Sequence, residues 1–354
     1  PEIDIILGIN EKNEIVQIVE NYMEKMAEQD KRSQEAEIDD VSKQKEFLDF
    51  GDVTYTEKNR AVVKVQDGCN MFCSYCIIPY ARGRIRSRKI ESVVSEIEKI
   101  AKEGIKEVVI TGIHVASYGK DFDNENTSKK IRLIDLLEAI NKIDGIDRIR
   151  LSSLEPTIVD EEFATRLSKL DKICDHFHLS LQSGCDETLK RMNRKYTTQI
   201  YRDAVATLRK YYPEASFTTD VIVGFPGETE EEFNETYKFL EDISFYKIHV
   251  FKYSPRRGTV AEKMQNQIDG NIKEIRSNKL IELSDKNQNN YNEKNIGKQV
   301  KVLFEEYENG YFKGHTTNYM EVKVKRDEEE NLVDKIVPIE IVDNDRETKE
   351  LIGK

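Results

Sequence analysis

Residues 66–88 read QDGCNMFCSYCIIPYARGRIRSR and place Cys69, Cys73 and Cys76 on one short loop, directly after a predicted strand. Thiolates grouped in this way are soft ligands that suit an iron–sulfur cluster or zinc. A cubane cluster held by three cysteines leaves one iron without a protein ligand, open to a substrate or a cofactor. The loop is therefore a candidate cluster-binding site.

Zinc is the alternative for the same loop. Structural zinc takes four protein ligands, and the two remaining cysteines, Cys174 and Cys185, are distant in sequence. A zinc knuckle would have to be completed by His114 or Cys185. The number of nearby ligands favours the iron–sulfur interpretation.

The sequence around the loop predicts an α/β fold. Short β-rich runs alternate with helical stretches of 3.6-residue spacing, which is typical of parallel strands joined by right-handed crossovers. Six such units are fewer than the eight of a closed barrel, so an open partial barrel or a doubly wound sheet is expected. The predicted strands are 61–66, 107–111, 148–152, 176–181, 217–223 and 246–251.

Polar or glycine-bearing turns follow four further strands. In parallel α/β folds the C-terminal ends of the strands carry the active site, and the cysteine loop occupies that position after the first strand. The side chains of Ser153, Glu155 and Gln182 are suited to bind hydroxyls or an amine there. The turns are residues 111–114 (TGIH), 152–156 (SSLEP), 182–184 (QSG) and 224–228 (GFPGE).

The two ends of the chain have other patterns. Residues 2–7 and 11–26 predict a strand and a helix, and the polar segment 27–58 predicts a linker. A long polar helix is expected at about 270–293. From residue 298 the period changes to two, which predicts a small five-stranded β-barrel.

Composition excludes a membrane-spanning protein and favours the cytoplasm. The chain has 354 residues and no apolar run near the roughly 18–20 residues of a membrane span. Five cysteines, an odd number, indicate a reducing compartment rather than a disulfide framework. The chain begins with Pro1 rather than Met and has no signal-peptide pattern. We therefore expect the chain to be truncated, with an upstream segment missing from it.

Net charge alone does not exclude nucleic acid. The chain carries a formal charge of -12, with much of the acid in residues 1–50. A basic run beside the cysteine loop favours phosphate contact, although Glu91 and Glu96 could pair with it and leave an ordinary solvated face. The run consists of Arg82, Arg84, Arg86, Arg88 and Lys89.

Taken together, these motifs resemble the radical S-adenosylmethionine (radical SAM) superfamily and, more narrowly, its methylthiotransferases. The resemblance covers about 61–293, and the β-rich tail is similar to the family's TRAM module. Among the subfamilies, QDGC, CIIPYARGR and HVFKYSPRRGT look most like the tRNA enzyme acting on N6-threonylcarbamoyladenosine beside the anticodon. Its sister enzymes act on isopentenyladenosine in tRNA or on an aspartate of a ribosomal protein. The motifs are residues 66–88, VVITGIHVASYG, RIRLSSLEP, HLSLQSGCDETLKRMNRKYT, TDVIVGFPGETEEEF and HVFKYSPRRGT.

The resemblance implies a [4Fe-4S] cluster on Cys69, Cys73 and Cys76, whose open iron binds SAM. Reductive cleavage of SAM gives a 5′-deoxyadenosyl radical that removes hydrogen from adenine C2 at position 37, which then gains the methylthio group. Partners would be the anticodon stem-loop of tRNA and an electron donor such as flavodoxin or ferredoxin. SAM contacts are expected from Tyr75, Thr111, Gly112, His114, Ser153, Glu155, Gln182, Val223 and Gly224.

The resemblance also divides the chain into domains. Residues 1–26 would be the end of an N-terminal methylthiotransferase domain, 27–58 a linker, 59–293 the radical SAM core and 294–354 the TRAM module. The family's N-terminal domain carries a second cluster, whereas residues 1–60 contain no cysteine. We therefore expect this chain to bind one cluster and cleave SAM without completing methylthiolation.

Two interpretations of the RNA contacts stay open. Residues 294–354 hold 14 acidic against 11 basic residues, whereas an RNA-binding module is usually basic. The tail is therefore either a module with one basic face or a solvated β-module with no RNA role. A further alternative, from another class, is a non-catalytic RNA-binding protein with structural zinc.

Overall fold

A computed structural model describes residues 3–8, 10–29, 34–37, 40–49, 51, 59–122 and 131–354. The helices are α1 Ile15–Gln29, α2 Ile78–Arg82, α3 Ile90–Lys102, α4 Leu133–Ile140, α5 Glu161–Leu167, α6 Asp186–Arg191, α7 Thr198–Tyr211, α8 Glu230–Ile243 and α9 Gly270–Glu293. The strands are β1 Ile5–Leu7, β2 Glu35–Glu37, β3 Arg60–Asp67, β4 Arg86–Ser87, β5 Glu107–Gly112, β6 Arg148–Leu151, β7 His176–His178, β8 Ser216–Val223, β9 Lys247–Lys252, β10 Gln299–Glu308, β11 Tyr311–His315, β12 Glu321–Lys325, β13 Ile336–Asp345 and β14 Glu350–Gly353.

The central strands form a curled, open half-barrel. β3, β5 and β6 pair in parallel in one sheet, with β4 antiparallel at its edge, and β7, β8 and β9 pair in parallel in another. Isolated bridges, Ile149 to Ile173 and Leu154 to Leu179, join the two sheets. The predicted open partial barrel is confirmed, and the C-termini of its parallel strands lie at one end of it.

Alternation along the strands explains the two faces of the half-barrel. On β3, Ala61, Val63 and Val65 are fully buried in the main core, whereas the intervening Val62 is 48% exposed. Helices connect the parallel strands and cover the outer face, so the exposed positions line the inside of the curl. The interior of the half-barrel is therefore available to a ligand.

The C-terminal residues form a closed barrel in the order β10-β11-β12-β14-β13, as predicted. This barrel lies against the N-terminal ends of the half-barrel strands. Arg148 Nη2 donates to the carbonyl of Lys301 at 2.8 Å, and Arg150 Nη1 donates to that of Thr317 at 3.0 Å. The small barrel thus covers the end of the half-barrel that lies away from the cysteine loop.

The predicted linker is only partly irregular. β2 pairs in parallel with β1, and the Asp49 carboxylate accepts hydrogen bonds from Arg88 and Ser92 of the half-barrel. Within the predicted linker, residues 35–37 form a strand and Asp49 contacts the half-barrel, while 30–33, 38–39, 50 and 52–58 lie outside the described residues. Among the described residues, no helix is both long and apolar enough to cross a membrane.

Candidate active site at the cysteine loop

Backbone hydrogen bonds hold the cysteine loop from both sides. Cys69 N–H donates to the carbonyl of Gly83 at 3.0 Å, and Ser74 N–H donates to that of Met192 at 3.0 Å. The Asn193 side-chain amide donates to the carbonyl of Phe72, which adopts a left-handed φ of 51°. The loop is thus held by the segment that directly follows it and by residues 192–193, which are far away in sequence.

The three thiols share one cavity of about 150 Å³ with residues from the ends of β5, β6 and β7. Five of the predicted SAM contacts line it. Gln182 has a left-handed φ of 69°, which is uncommon for a residue with a Cβ and often marks a functional site. The predicted residues that meet here are Cys69, Cys73, Cys76, Tyr75, His114, Ser153, Glu155 and Gln182.

Four other predicted contacts do not line this cavity. Thr111 and Gly112 belong to β5 itself, and Gly112 packs so closely on Gln66 that a Cβ would approach it to 2.9 Å. Val223 is fully buried. Gly224 N–H donates to Glu228 Oε2 at 2.7 Å. None of these four residues lines the cysteine cavity, so their role as SAM contacts stays a prediction.

Glu155 is an anchored carboxylate. His114 Nε2 and Thr157 Oγ1 bond Oε2 at 3.2 and 3.1 Å, and Arg194 Nη2 donates to Oε1 at 3.2 Å. Burial by itself would raise the pKa of Glu155, but the hydrogen bond and charge of His114 and the charge of Arg194 outweigh it and lower the pKa. The carboxylate is ionised at neutral pH and orients two other cavity side chains.

Arg194 was not predicted from the sequence. Its Nη1 lies 3.3 Å from Cys73 Sγ, and its guanidinium packs over the Tyr196 ring at 4.8 Å. The side chain is 8% exposed. In the sequence it is one of several cations near residue 190, so neither charge nor periodicity distinguishes it. Its buried place between a thiol and a carboxylate makes it a cavity-lining cation.

The donor set fits an iron–sulfur cluster. Burial raises the pKa of Cys69 to about 11, and the neighbouring thiolates add to that effect, so iron binding must displace a proton from this thiol. Within the described ranges, no three His, Cys, Asp or Glu side chains converge closely enough to hold one metal ion. Three cysteine thiols that line one cavity suit a cluster, in which each cysteine binds a different iron.

The basic run divides into buried and exposed members. Arg86 is 1% exposed beside Asp67, and Arg88 bonds Asp49 and Glu96 beneath the surface. These two guanidinium groups are therefore buried beside carboxylates, and phosphate contact by the run as a whole stays a prediction. Arg84 and Lys89 are exposed and Arg82 is half-buried.

Gly68 gives the first test of the loop. It has a φ of +70°, and a Cβ there would lie 1.8 Å from the Arg84 carbonyl oxygen. We expect Gly68→Ala to displace the loop and to lower iron loading after reconstitution, at a conformational cost of about 1–3 kcal/mol or more. Gly104→Ala is the matched control, since Gly104 has a φ of +90° and nothing within 4 Å of its Cβ position. Equal iron loading of the two variants would contradict the prediction.

Comparison with known proteins identifies the family. The model of the radical SAM superfamily matches residues 63–240. The threonylcarbamoyladenosine tRNA methylthiotransferase MtaB of Bacillus subtilis (strain 168) is 38% identical over 97% of this chain and 74% of its own length, and that of Aquifex aeolicus (strain VF5) is 40% identical over 91% and 74%. The tRNA-2-methylthio-N(6)-dimethylallyladenosine synthase of Thermoanaerobacter sp. (strain X514) is 41% identical over 77% and 57%. The cofactors of the superfamily are a [4Fe-4S] cluster and SAM. The chain belongs to the radical SAM superfamily and, within it, to the tRNA methylthiotransferases, enzymes that transfer sulfur-containing groups.

Proposed function

We propose that this chain acts on C2 of N6-threonylcarbamoyladenosine at position 37 of tRNA, beside the anticodon. The observation that carries the proposal is the single cavity in which the three thiols meet His114, Glu155 and Arg194. The choice of base follows the MtaB relatives, because the Bacillus subtilis protein aligns over 97% of this chain. The dimethylallyladenosine enzymes are the second candidate, since one is 41% identical over 77% of the chain.

The proposed roles follow from the cavity lining. Cys69, Cys73 and Cys76 would hold three irons, and the fourth would be left open for SAM. The cluster and SAM, when bound, supply one-electron chemistry that the protein itself cannot perform. The hydroxyl of Ser153 and the amide of Gln182, which line the cavity, would bind polar groups of the cofactor.

Arg194 and Glu155 would fix the electrostatics of the same cavity. The pKa of Arg194 is raised, because interactions with Tyr196, Tyr75, Cys73 and Glu155 outweigh the effect of burial. The guanidinium therefore stays charged beside a thiolate and beside any carboxylate that enters. Buried cations act strongly on nearby anions, because little water screens them.

The exposed members of the basic run, Arg84 and Lys89, would contact tRNA phosphates. Arg84 also packs over the Phe72 ring at 4.7 Å, and Tyr80 lies beside Phe72 and is 59% exposed. A cation beside one half-buried and one exposed aromatic ring suits an RNA loop, whose bases stack on aromatic rings while its phosphates bind cations. A one-electron donor of the flavodoxin or ferredoxin class would complete the set of partners.

The direct test is anaerobic reconstitution with iron and sulfide, followed by SAM, dithionite and a synthetic anticodon stem-loop. We expect 5′-deoxyadenosine to form fastest with threonylcarbamoyladenosine at position 37, compared with dimethylallyladenosine or plain adenosine there. Preference for the dimethylallyl stem-loop would move the assignment to the second candidate.

A further inference from the structure

A second cavity of about 250 Å³ lies inside the half-barrel, and Ser153 lines both this cavity and the cysteine cavity. One liquid water occupies roughly 30 Å³, so the space has room for a substituent several atoms long. Its walls come from β5 to β9 and, on the side away from the cysteines, from the C-terminal barrel. Its polar lining includes His176, His178, Thr218, Lys247, His249 and Glu321.

Several of these polar groups have no hydrogen-bond partner among the described residues. The His176 Nδ1 atom is one, although His176 is only 7% exposed. Lys247 and His249 line the cavity, and within the described chain no hydrogen bond or ion pair engages the Lys247 ammonium or the His249 ring nitrogens. Of these groups only His176 is buried, and buried polar groups are normally paired. Lys247 is half-buried and His249 is exposed, so both line the cavity with donors that a polar ligand can reach.

The other polar groups are already oriented. The His178 ring bonds Thr218 Oγ1 at 2.9 Å and Asp220 Oδ2 at 3.2 Å. These contacts fix the orientation of the His178 imidazole and engage the Asp220 carboxylate. Lys247 and His249 therefore remain as the groups that can bind an anion. Glu321, from the C-terminal barrel, also lines the cavity and supplies an acceptor.

We propose that this cavity receives the N6 substituent of the target adenine and that Lys247 and His249 bind its carboxylate. The inference rests on the proposed function and adds the residues that select the substituent. C2 and C6 of adenine both flank N1, so a base that presents C2 to the cysteine cavity directs its N6 group away from that cavity. The shared wall at Ser153 places the second cavity next to such a base.

The chemistry of the two candidate substituents differs sharply. A threonylcarbamoyl group carries a carboxylate, a hydroxyl and amide N–H groups, which match the cation, the imidazoles and the acceptors of the cavity. A dimethylallyl group would leave those groups desolvated and unpaired, a penalty that sites built for polar ligands use to reject apolar analogues. The polar lining therefore selects the threonylcarbamoyl group.

The test measures binding of three fluorescent anticodon stem-loops to the reconstituted full chain, with threonylcarbamoyladenosine, dimethylallyladenosine or plain adenosine at position 37. We expect Lys247→Gln to weaken binding of the threonylcarbamoyl stem-loop about tenfold, the effect of one lost charge-assisted hydrogen bond. Binding of the plain stem-loop should not change. Lys238→Gln, on the exposed surface of α8, is the matched control and should bind all three like the unmodified protein.

A second variant guards against a simple folding defect. His249→Leu should reduce the preference for threonylcarbamoyl over dimethylallyl by about tenfold, partly through tighter binding of the dimethylallyl stem-loop. If the protein prefers the threonylcarbamoyl stem-loop and both variants keep that preference, the cavity assignment is wrong while the proposed function stands. If the unsubstituted protein distinguishes none of the three stem-loops, the proposed function fails and the cavity assignment fails with it.

Discussion

Replacing Cys73 with alanine is expected to remove the cluster and, with it, SAM cleavage. The native chain should take up about four irons on reconstitution, and the variant should retain only a small fraction of them. Cys73 is the middle cysteine of the loop, is buried, and its Sγ atom lies 3.3 Å from Arg194 Nη1. Iron and sulfide analysis, the visible absorption spectrum and 5′-deoxyadenosine formation would each show the loss.

The matched control for this experiment is Cys174→Ala. Cys174 is also buried, but it lies between β6 and β7, away from the cavity lined by the other three thiols. Its removal should leave iron content and SAM cleavage near native values. A Cys73→Ala protein that kept its iron, or a Cys174→Ala protein that lost it, would contradict the assignment of the ligands.

Among the substitutions proposed here, Glu107→Gln should lower the free energy of unfolding the most. Glu107 is fully buried and pairs with Arg150 at 2.7 Å, Arg148 at 3.5 Å and Arg60 at 3.8 Å. Without the carboxylate, three cations face one another at the junction with the C-terminal barrel. Removing one partner of a buried ion pair typically lowers the free energy of unfolding by about 3–5 kcal/mol. Urea and thermal unfolding would measure the change, and Glu98→Gln on the exposed side of α3 should alter stability by no more than about 0.5 kcal/mol.

The pH dependence of this effect has a definite sign. Burial by itself would raise the pKa of Glu107, but the charges of Arg150, Arg60 and Arg148 outweigh it and hold the pKa below the usual 4.5. A group with a lowered pKa stabilises the fold above its unfolded-state pKa and loses that contribution as pH falls through the folded value. The stability difference between the native chain and Glu107→Gln should therefore be full at neutral pH and shrink below pH 4.5. A difference that grew on acidification would refute the role of the three arginines.

Local patterns predicted the parts of the site that are continuous in sequence. The cysteine loop follows a strand, and Ser153, Glu155 and Gln182 follow other strands, so the common end of a parallel sheet brings them together. Arg194 escaped prediction, because its position depends on how the segment after α6 folds back over the loop. No periodicity encodes that return, and only the three-dimensional contact reveals it.

Burial of charge was the other property that the sequence did not reveal. Arg86 and Arg88 belong to the same basic run as Arg84, yet both are buried. Arg86 is buried because β4 pairs with the end of β3, and Arg88 because Asp49, from the predicted linker 27–58, pairs with it. The position of the C-terminal barrel was equally hidden. Arg148 and Arg150 donate to backbone carbonyls of β10 and of the turn after β11, a match between surfaces that lie more than a hundred residues apart.

The most direct test of the account follows one hydrogen atom. A threonylcarbamoyladenosine stem-loop deuterated at C2 of the target adenine would be incubated anaerobically with the reconstituted chain, SAM and dithionite, and the 5′-deoxyadenosine analysed by mass spectrometry. We expect deuterium in the 5′-deoxyadenosine from the C2-labelled base and none from a base labelled at C8. Cleavage of SAM without transfer from C2, or transfer from C8, would contradict it.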